Sequence, residues 1–245
     1  MNYLLIRGLA RHQGHWHQFP ELLKTNSNQV VCIDTKGNGE FAHIISPHNL
    51  TENTEFIREK WLALKKNHEP WTIISISMGG MIAMDWCSKY PDDFKKFFVI
   101  NTSAANIVPP WKRFSLEIFF KLPKLIFSNR KIQEEEILKI TLHKKMIAEE
   151  LVNSQLNFIW QNTSKLNFFR QLISASLFRL PKIKDTRKLV FIVGLRDQLV
   201  SPSATIKIAS YYKTKLITAN ELGHDIPLDD AEWLFKTISD QIYVD

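Results

Sequence analysis

Two rhythms of apolar residues alternate along the chain. Six short runs are almost continuously apolar: YLLIRG (3–8), QVVCID (29–34), WTIISI (71–76), FFVINT (97–102), KLVFIVG (188–194) and TKLITA (214–219). Runs of this length, rich in β-branched and aromatic residues, suit strands buried on both faces of a parallel sheet. Between them the period lengthens to that of a helix. In 50–68, Ile57, Trp61 and Leu64 recur on one face, with Asn49 and Thr51 as candidate caps. Residues 79–90 predict an apolar helix stopped by Pro91, and 229–242 predict a closing helix. Strand and helix in alternation predict an α/β fold with a parallel sheet covered on both faces.

One stretch departs from this rhythm. From Ala104 to Lys184 no strand pattern recurs, and helical patterns follow one another: SLEIFFKL (115–122), 134–152, LNFIWQ (156–161) and 165–178. Pro109-Pro110 and Pro181 bracket it. The expectation is a core made of 1–103 and 185–245, with 104–184 as a helical cap over the strand ends. The most apolar part, 114–127, is interrupted by Glu117, Lys121, Pro123 and Lys124, so no stable membrane insertion is expected. Met1 leads almost at once into the first strand, and Cys32 and Cys87 lie far apart in apolar runs. Free thiols and a cytoplasmic protein are the expectation.

Charge sharpens the picture of the insertion. The 245-residue chain carries a formal +7, and residues 104–184 alone hold 14 Lys/Arg against 6 Asp/Glu, a net +8. All of the excess positive charge therefore sits on the helical segment. Such a patch either solvates amphipathic helices or attracts an anionic partner.

The chemistry centres on SISMGG, residues 75–80, between a strand run and a helix run. A serine nucleophile at a strand end needs a sharp turn flanked by small residues, which lifts its hydroxyl clear of the sheet. Ser77, followed by Met78, Gly79 and Gly80, fits this need. Ser75 does not, and takes the place of the first glycine in a relaxed G-x-S-x-G. A serine needs a base, and the base an orienting acid. His224 lies in ELGHDIPLDD after the last strand run, and Asp197 in GLRDQLVSP after the KLVFIVG run. The chain order is Ser77, Asp197, His224.

These blocks, with RGLARHQGHW after the first strand and DTKGNG (34–39) after the second, resemble the α/β-hydrolase superfamily. The likeness is to small capped serine esterases, including the carboxylesterases that demethylate pimeloyl-carrier-protein methyl ester in biotin synthesis. It covers nearly all of the core, but no recognisable motif falls in 104–184. The resemblance implies a six-stranded, all-parallel sheet lacking the family's first hairpin, with the insertion after the fourth strand. It also implies an oxyanion hole made by the backbone N–H groups of Leu9 and Met78. The family usually carries His-Gly where this chain has Arg7-Gly8, and Arg7 is expected to pair with a structural carboxylate. The alternative acid position, after the fourth strand, reads NTSAAN and holds no carboxylate.

The activity implied is ester hydrolysis through an acyl-enzyme. Thioesterase, C–C hydrolase or lipase action by the same triad, and a non-catalytic binding role on the same scaffold, stand as alternatives. An acidic acyl carrier protein could dock on the basic insertion, with Lys112, Arg113, Lys121, Lys124 and Arg130 as candidate contacts. No nucleic-acid partner and no cofactor are expected. His12, His15 and His17 in HQGHWH have no companion metal motif and are expected at the surface or a pocket rim. Gly37-Asn38-Gly39 lacks the spacing of a nucleotide loop.

Overall fold

The computed structural model describes residues 1–25, 28–66, 69–113, 121, 124, 127–144, 146, 149–158 and 163–242. Six strands form one sheet: β1 (Asn2–Ile6), β2 (Val30–Cys32), β3 (Trp71–Ile76), β4 (Lys96–Ile100), β5 (Leu189–Gly194) and β6 (Lys215–Ala219). Their order is β2-β1-β3-β4-β5-β6, and every neighbouring pair is parallel. The six-stranded, all-parallel sheet that the resemblance implies is what the chain forms, on the six apolar runs.

Parallel neighbours need crossover helices, and these supply the two covering layers. Alternate residues of the strands enter opposite cores. Leu4, Ile6, Ile73, Phe97 and Phe191 face a cluster that includes Ile57, Trp61, Ile82, Trp86 and Ile208. These come from α2 (Leu50–Leu64), α3 (Met78–Lys89) and α8 (Pro202–Tyr212). Leu5, Ile74, Phe98 and Ile192 face the other way, onto Phe19, Leu23, Leu234 and Ile238 of α1 (Phe19–Leu23) and α10 (Ala231–Ile242).

Several boundaries differ from the sequence expectations. β1 ends at Ile6, and Arg7-Gly8 already belong to the loop beyond it. α2 stops at Leu64, four residues before the predicted end. Asn49 caps it by accepting from the Thr51 amide at 3.0 Å, whereas Thr51 lies inside the helix and sends its hydroxyl to Asp85. The predicted helix 229–242 is two: α9 (Ile226–Asp229) and α10, separated at Asp230, which accepts from the Trp233 amide and so caps α10.

Among the described residues the regular elements of the insertion are all helices. α4 (Pro110–Arg113), α5 (Arg130–Thr141), α6 (Glu149–Leu156) and α7 (Lys165–Leu177) are its regular elements. The pattern over 134–152 is broken between Thr141 and Glu149, and Leu142, His143 and Lys144 are not helical. Of LNFIWQ, Leu156 ends α6, Asn157 and Phe158 are not helical, and 159–161 lie outside the described residues. The predicted helix 115–122 lies outside the described residues apart from Lys121. The insertion leaves and rejoins the core side by side. The Ala105 amide donates to the Phe178 carbonyl at 2.7 Å, and the Leu180 amide to Asn106 Oδ1 at 2.9 Å. Among the described residues no helix is long and apolar enough to cross a membrane.

Candidate active site

β3 ends at Ile76, and the chain turns through Ser77 into α3. Ser77 has φ 58° and ψ −120°, a conformation that side-chain-bearing residues rarely adopt. Neighbours hold it there. Its amide donates to the Ile100 carbonyl at 2.9 Å, and its carbonyl accepts from Thr102 Oγ1 at 2.9 Å and the Gly80 amide at 3.0 Å. The turn passes very close to the end of β1. A Cβ on Gly79 would lie 2.5 Å from the Ile6 carbonyl oxygen, and one on Gly8 would lie 2.9 Å from Ser77 Cβ. Only glycine fits at either point. Ser75 is a strand residue, fully buried, and its hydroxyl donates to the Phe98 carbonyl at 2.9 Å. The half-buried Ser77 is thus the serine offered at the strand end, as the small-residue argument predicts.

Asp197 and His224 meet as predicted. Asp197 sits in the turn after β5, where Oδ1 accepts from the Leu199 and Val200 amides, each at 2.8 Å. Its other oxygen, Oδ2, accepts a hydrogen bond from His224 Nδ1 at 2.7 Å. Both side chains are buried. With Nδ1 turned to the carboxylate, Nε2 is the nitrogen left to receive a proton. The Ser77 hydroxyl itself has no hydrogen-bond partner among the described residues. Such bonds commonly tighten only when substrate arrives.

Of the two candidate oxyanion donors, Met78 follows Ser77 directly, and Leu9 follows Gly8, which packs against Ser77. Neither the Leu9 amide nor the Met78 amide donates to a described residue, so both remain available to a ligand oxygen. Arg7, one residue before Gly8, is buried and pairs with Asp225, as expected of a structural ion pair. Nη1 donates to Oδ1 at 3.0 Å and Nη2 to Oδ2 at 2.5 Å. Burial alone would raise the Asp225 carboxyl, but the Arg7 charge overrides it and holds the group below its ordinary value. The pair ties the first loop to the residue after His224.

Two supports of the histidine loop escaped the sequence reading. Asn101, in the NTSAAN stretch noted only for its lack of a carboxylate, donates its amide to the Gly223 and His224 carbonyls at 3.1 and 2.8 Å. Its Oδ1 accepts from the Gly194 amide at 2.8 Å. Asp229 accepts from the Gly223, His143 and Lys144 amides at 2.8, 3.0 and 2.8 Å. The only sequence signal for either was position, just past a strand and just past the histidine.

One of the candidate docking residues does not lie on the surface. Arg113 is 1% exposed and cannot touch a partner. Its guanidinium donates to Ser103 Oγ and to the Ser176 and Ala175 carbonyls, and burial lowers its pKa to about 10. Lys124 is exposed but pairs with Glu136 at 2.7 Å. Lys112 and Arg130 are exposed, and Lys121 is half-buried.

The histidines of HQGHWH are not surface groups either. His12 and His15 are buried, and His17 is half-buried. All three rings lie around Phe158, with centroids 4.9–5.6 Å away. Burial pushes the His12 pKa down to about 4, and neighbouring Arg11 and Arg7 push the same way. Among the described residues no group of His, Cys, Asp and Glu has a metal-binding arrangement. Two shallow cavities of about 390 and 280 Å³ open at the amino ends of the strands, lined by residues such as Lys65, Trp71, Lys96 and Lys215. They lie at the opposite edge from Ser77, and sites in open parallel sheets form at the carboxyl ends.

Comparison with known proteins places this geometry in a family. The chain is 21% identical over 259 residues to monoacylglycerol lipase ABHD6 of Bos taurus, covering 97% of this chain and 74% of that one. Among solved structures, the esterase EaEST of Exiguobacterium antarcticum superposes with a TM-score of 0.73 at 16% identity, covering 99% of this chain and 91% of the other. The hydrolase olei00960 of Oleispira antarctica gives 0.73 at 19% identity, with 100% and 91% covered. The model of the family described as Hydrolase_4, serine aminopeptidase, S33, matches residues 2–231, and the chain belongs to that family of α/β-hydrolases.

Proposed function

We propose that this chain hydrolyses carboxylic esters, with Ser77 as nucleophile, His224 as base and Asp197 as its orienting acid. The observation that carries the reading is the 2.7 Å bond from His224 Nδ1 to Asp197, in a chain whose β3–α3 turn holds Ser77 at φ 58°. Ser77 Oγ attacks the ester carbonyl and its proton passes to His224 Nε2. The Leu9 and Met78 amides hold the resulting oxyanion. His224 returns the proton to the leaving alcohol, and a water activated by the same nitrogen releases the acid. The helical insertion acts as a cap over this site. Thioesters or activated C–C bonds would use the same groups. The esterase and lipase relatives favour an oxygen ester.

The narrower substrate we propose is an ester of an acyl chain borne on an acidic carrier protein, such as its methyl ester. The net +8 of residues 104–184 supports it, with Lys112, Lys121, Lys124 and Arg130 as contacts and Arg113 withdrawn. The second reading is a monoacylglycerol, favoured by the lipase relative that spans 97% of this chain.

The test sets wild type beside Ser77→Ala on short p-nitrophenyl esters, a monoacylglycerol and a carrier-bound methyl ester. Cleavage by wild type alone supports the triad. Equal rates from both proteins overturn it. Activity on the carrier-bound ester that survives Lys112→Glu with Arg130→Glu removes the docking surface and leaves the acylglycerol reading.

A further inference from the structure

Gln171 lies in the middle of α7 and is 1% exposed. Its Nε2 donates to Asn38 Oδ1 at 2.9 Å and Ser46 Oγ at 3.0 Å, both in the loop after β2. One turn earlier, Asn167 Oδ1 accepts from the Ser46 amide at 2.9 Å, and its Nδ2 donates to the Ala42 and Ile44 carbonyls. These bonds fix α7 on the core. From that fixed place, Gln171 Oε1 accepts from the Ala10 amide at 2.9 Å.

The Ala10 amide is an informative partner. Ala10 follows Leu9 directly and has φ 54°, a left-handed conformation that a residue with a Cβ does not hold without support. The insertion makes a second contact to the same loop. Arg11 Nη1 donates to Glu134 Oε1 of α5 at 2.7 Å, with both side chains largely buried. On the other side of Leu9, Gly8 abuts Ser77. Leu9 is therefore bracketed by the nucleophile on one side and by insertion contacts on the other.

We infer that Gln171 is a positioning residue, which holds the Leu9 amide where the oxyanion forms, with Glu134 as a weaker second anchor. The inference rests on the esterase reading above and deepens it: the cap not only covers the site but sets the geometry of one of its two oxyanion donors. Gln171 touches the loop and not the substrate, so its loss acts on the transition state more than on ground-state binding. Deleting an oxyanion donor costs about 10²–10³ in kcat, and misplacing one costs less, about tenfold.

The experiment compares Gln171→Met, Gln171→Glu, Glu134→Gln and Ser77→Ala on a p-nitrophenyl ester. It also measures inhibition by a trifluoromethyl ketone, whose hemiketal oxygen occupies the oxyanion position. Met matches the volume but offers no acceptor. Glu keeps an oxygen for the Ala10 amide and, protonated, an O–H for Asn38 Oδ1. The expected result is a kcat about tenfold lower in Gln171→Met, with KM within about threefold and ketone affinity falling in parallel. Gln171→Glu stays near wild type, and Glu134→Gln shows a smaller loss in kcat alone. If Gln171→Met does not fold, the Glu134→Gln arm decides by the same kcat and ketone readouts. Unchanged kcat and ketone affinity in the folded variants, with Ser77→Ala inactive, overturn the inference and leave the esterase reading standing. Equal losses in Gln171→Met and Gln171→Glu overturn it as well. Activity in Ser77→Ala equal to wild type overturns the esterase reading itself.

Discussion

At the scale of single residues, the bond from His224 to Asp197 decides which imidazole nitrogen can act. Asp197→Asn keeps the shape but can present an N–H to Nδ1 and invert the tautomer. The expected outcome is a kcat lower by about 10³–10⁴-fold with a folded protein, checked by steady-state kinetics beside a melting curve. Asp34 makes a different prediction. Its carboxylate accepts from the Gln13 and Glu40 amides but lies in a buried place, and burial raises its pKa from 3.8 to about 6. A carboxyl raised in the folded state favours folding while protonated, and that contribution is lost as pH climbs through about 6. The stability of wild type relative to Asp34→Asn is therefore expected to fall from about pH 4 to pH 6 and then level off, as read by urea titration across pH. Position after a strand run brought Ser77, Asp197 and His224 forward as candidates, and the bond between the last two forms. Residue identity misassigned Arg113, His12 and His15, because an arginine or histidine letter does not say whether carbonyls and rings elsewhere will enclose it.

At the scale of elements, the histidine loop is held from three directions: by Asn101 at the end of β4, by Asp229 in α9, and by the Arg7–Asp225 pair from the end of β1. Removing one partner of a buried ion pair leaves the other charge stranded. Arg7→Met is expected to cost about 3–5 kcal/mol, and the double variant Arg7→Met with Asp225→Leu to recover most of it, by chemical denaturation. The strands were legible because a parallel sheet buried on both sides demands unbroken apolar runs. The helix breaks were not. Asp230 starts α10 while lying inside an uninterrupted helical pattern, and the gap after Thr141 is stabilised by Asp229, some 85 residues further along the chain. Partners that distant leave no periodic trace.

At the scale of the whole molecule, the charge map and the buried map answer different questions. The sum of +8 on residues 104–184 was readable, but one of its members serves inside. Arg113 joins the entrance of the insertion to its exit, bonding Ser103 on one side and Ala175 and Ser176 on the other. Arg113→Met takes that donor from Ser103 Oγ and the Ser176 carbonyl, while Ala175 keeps its bond from the Phe178 amide, and is expected to destabilise the protein by about 2–4 kcal/mol, measured by thermal or urea unfolding. The core could be placed from the apolar runs. How the insertion grips the loop around Leu9 could not, since it depends on amide-to-amide contacts between Gln171, Asn38 and Ala10 that span more than 130 residues of sequence.

The paired bonds between Ala105 and Phe178 and between Asn106 and Leu180 close the excursion at its neck. Closing a flexible loop costs entropy that grows only with the logarithm of its length, so doubling the chain beyond that neck adds about 0.6 kcal/mol. The six strands are thus nearly indifferent to how many residues travel out and back between 107 and 177. Lineages carrying this scaffold could lengthen, shorten or recompose that excursion without rethreading the sheet beneath it.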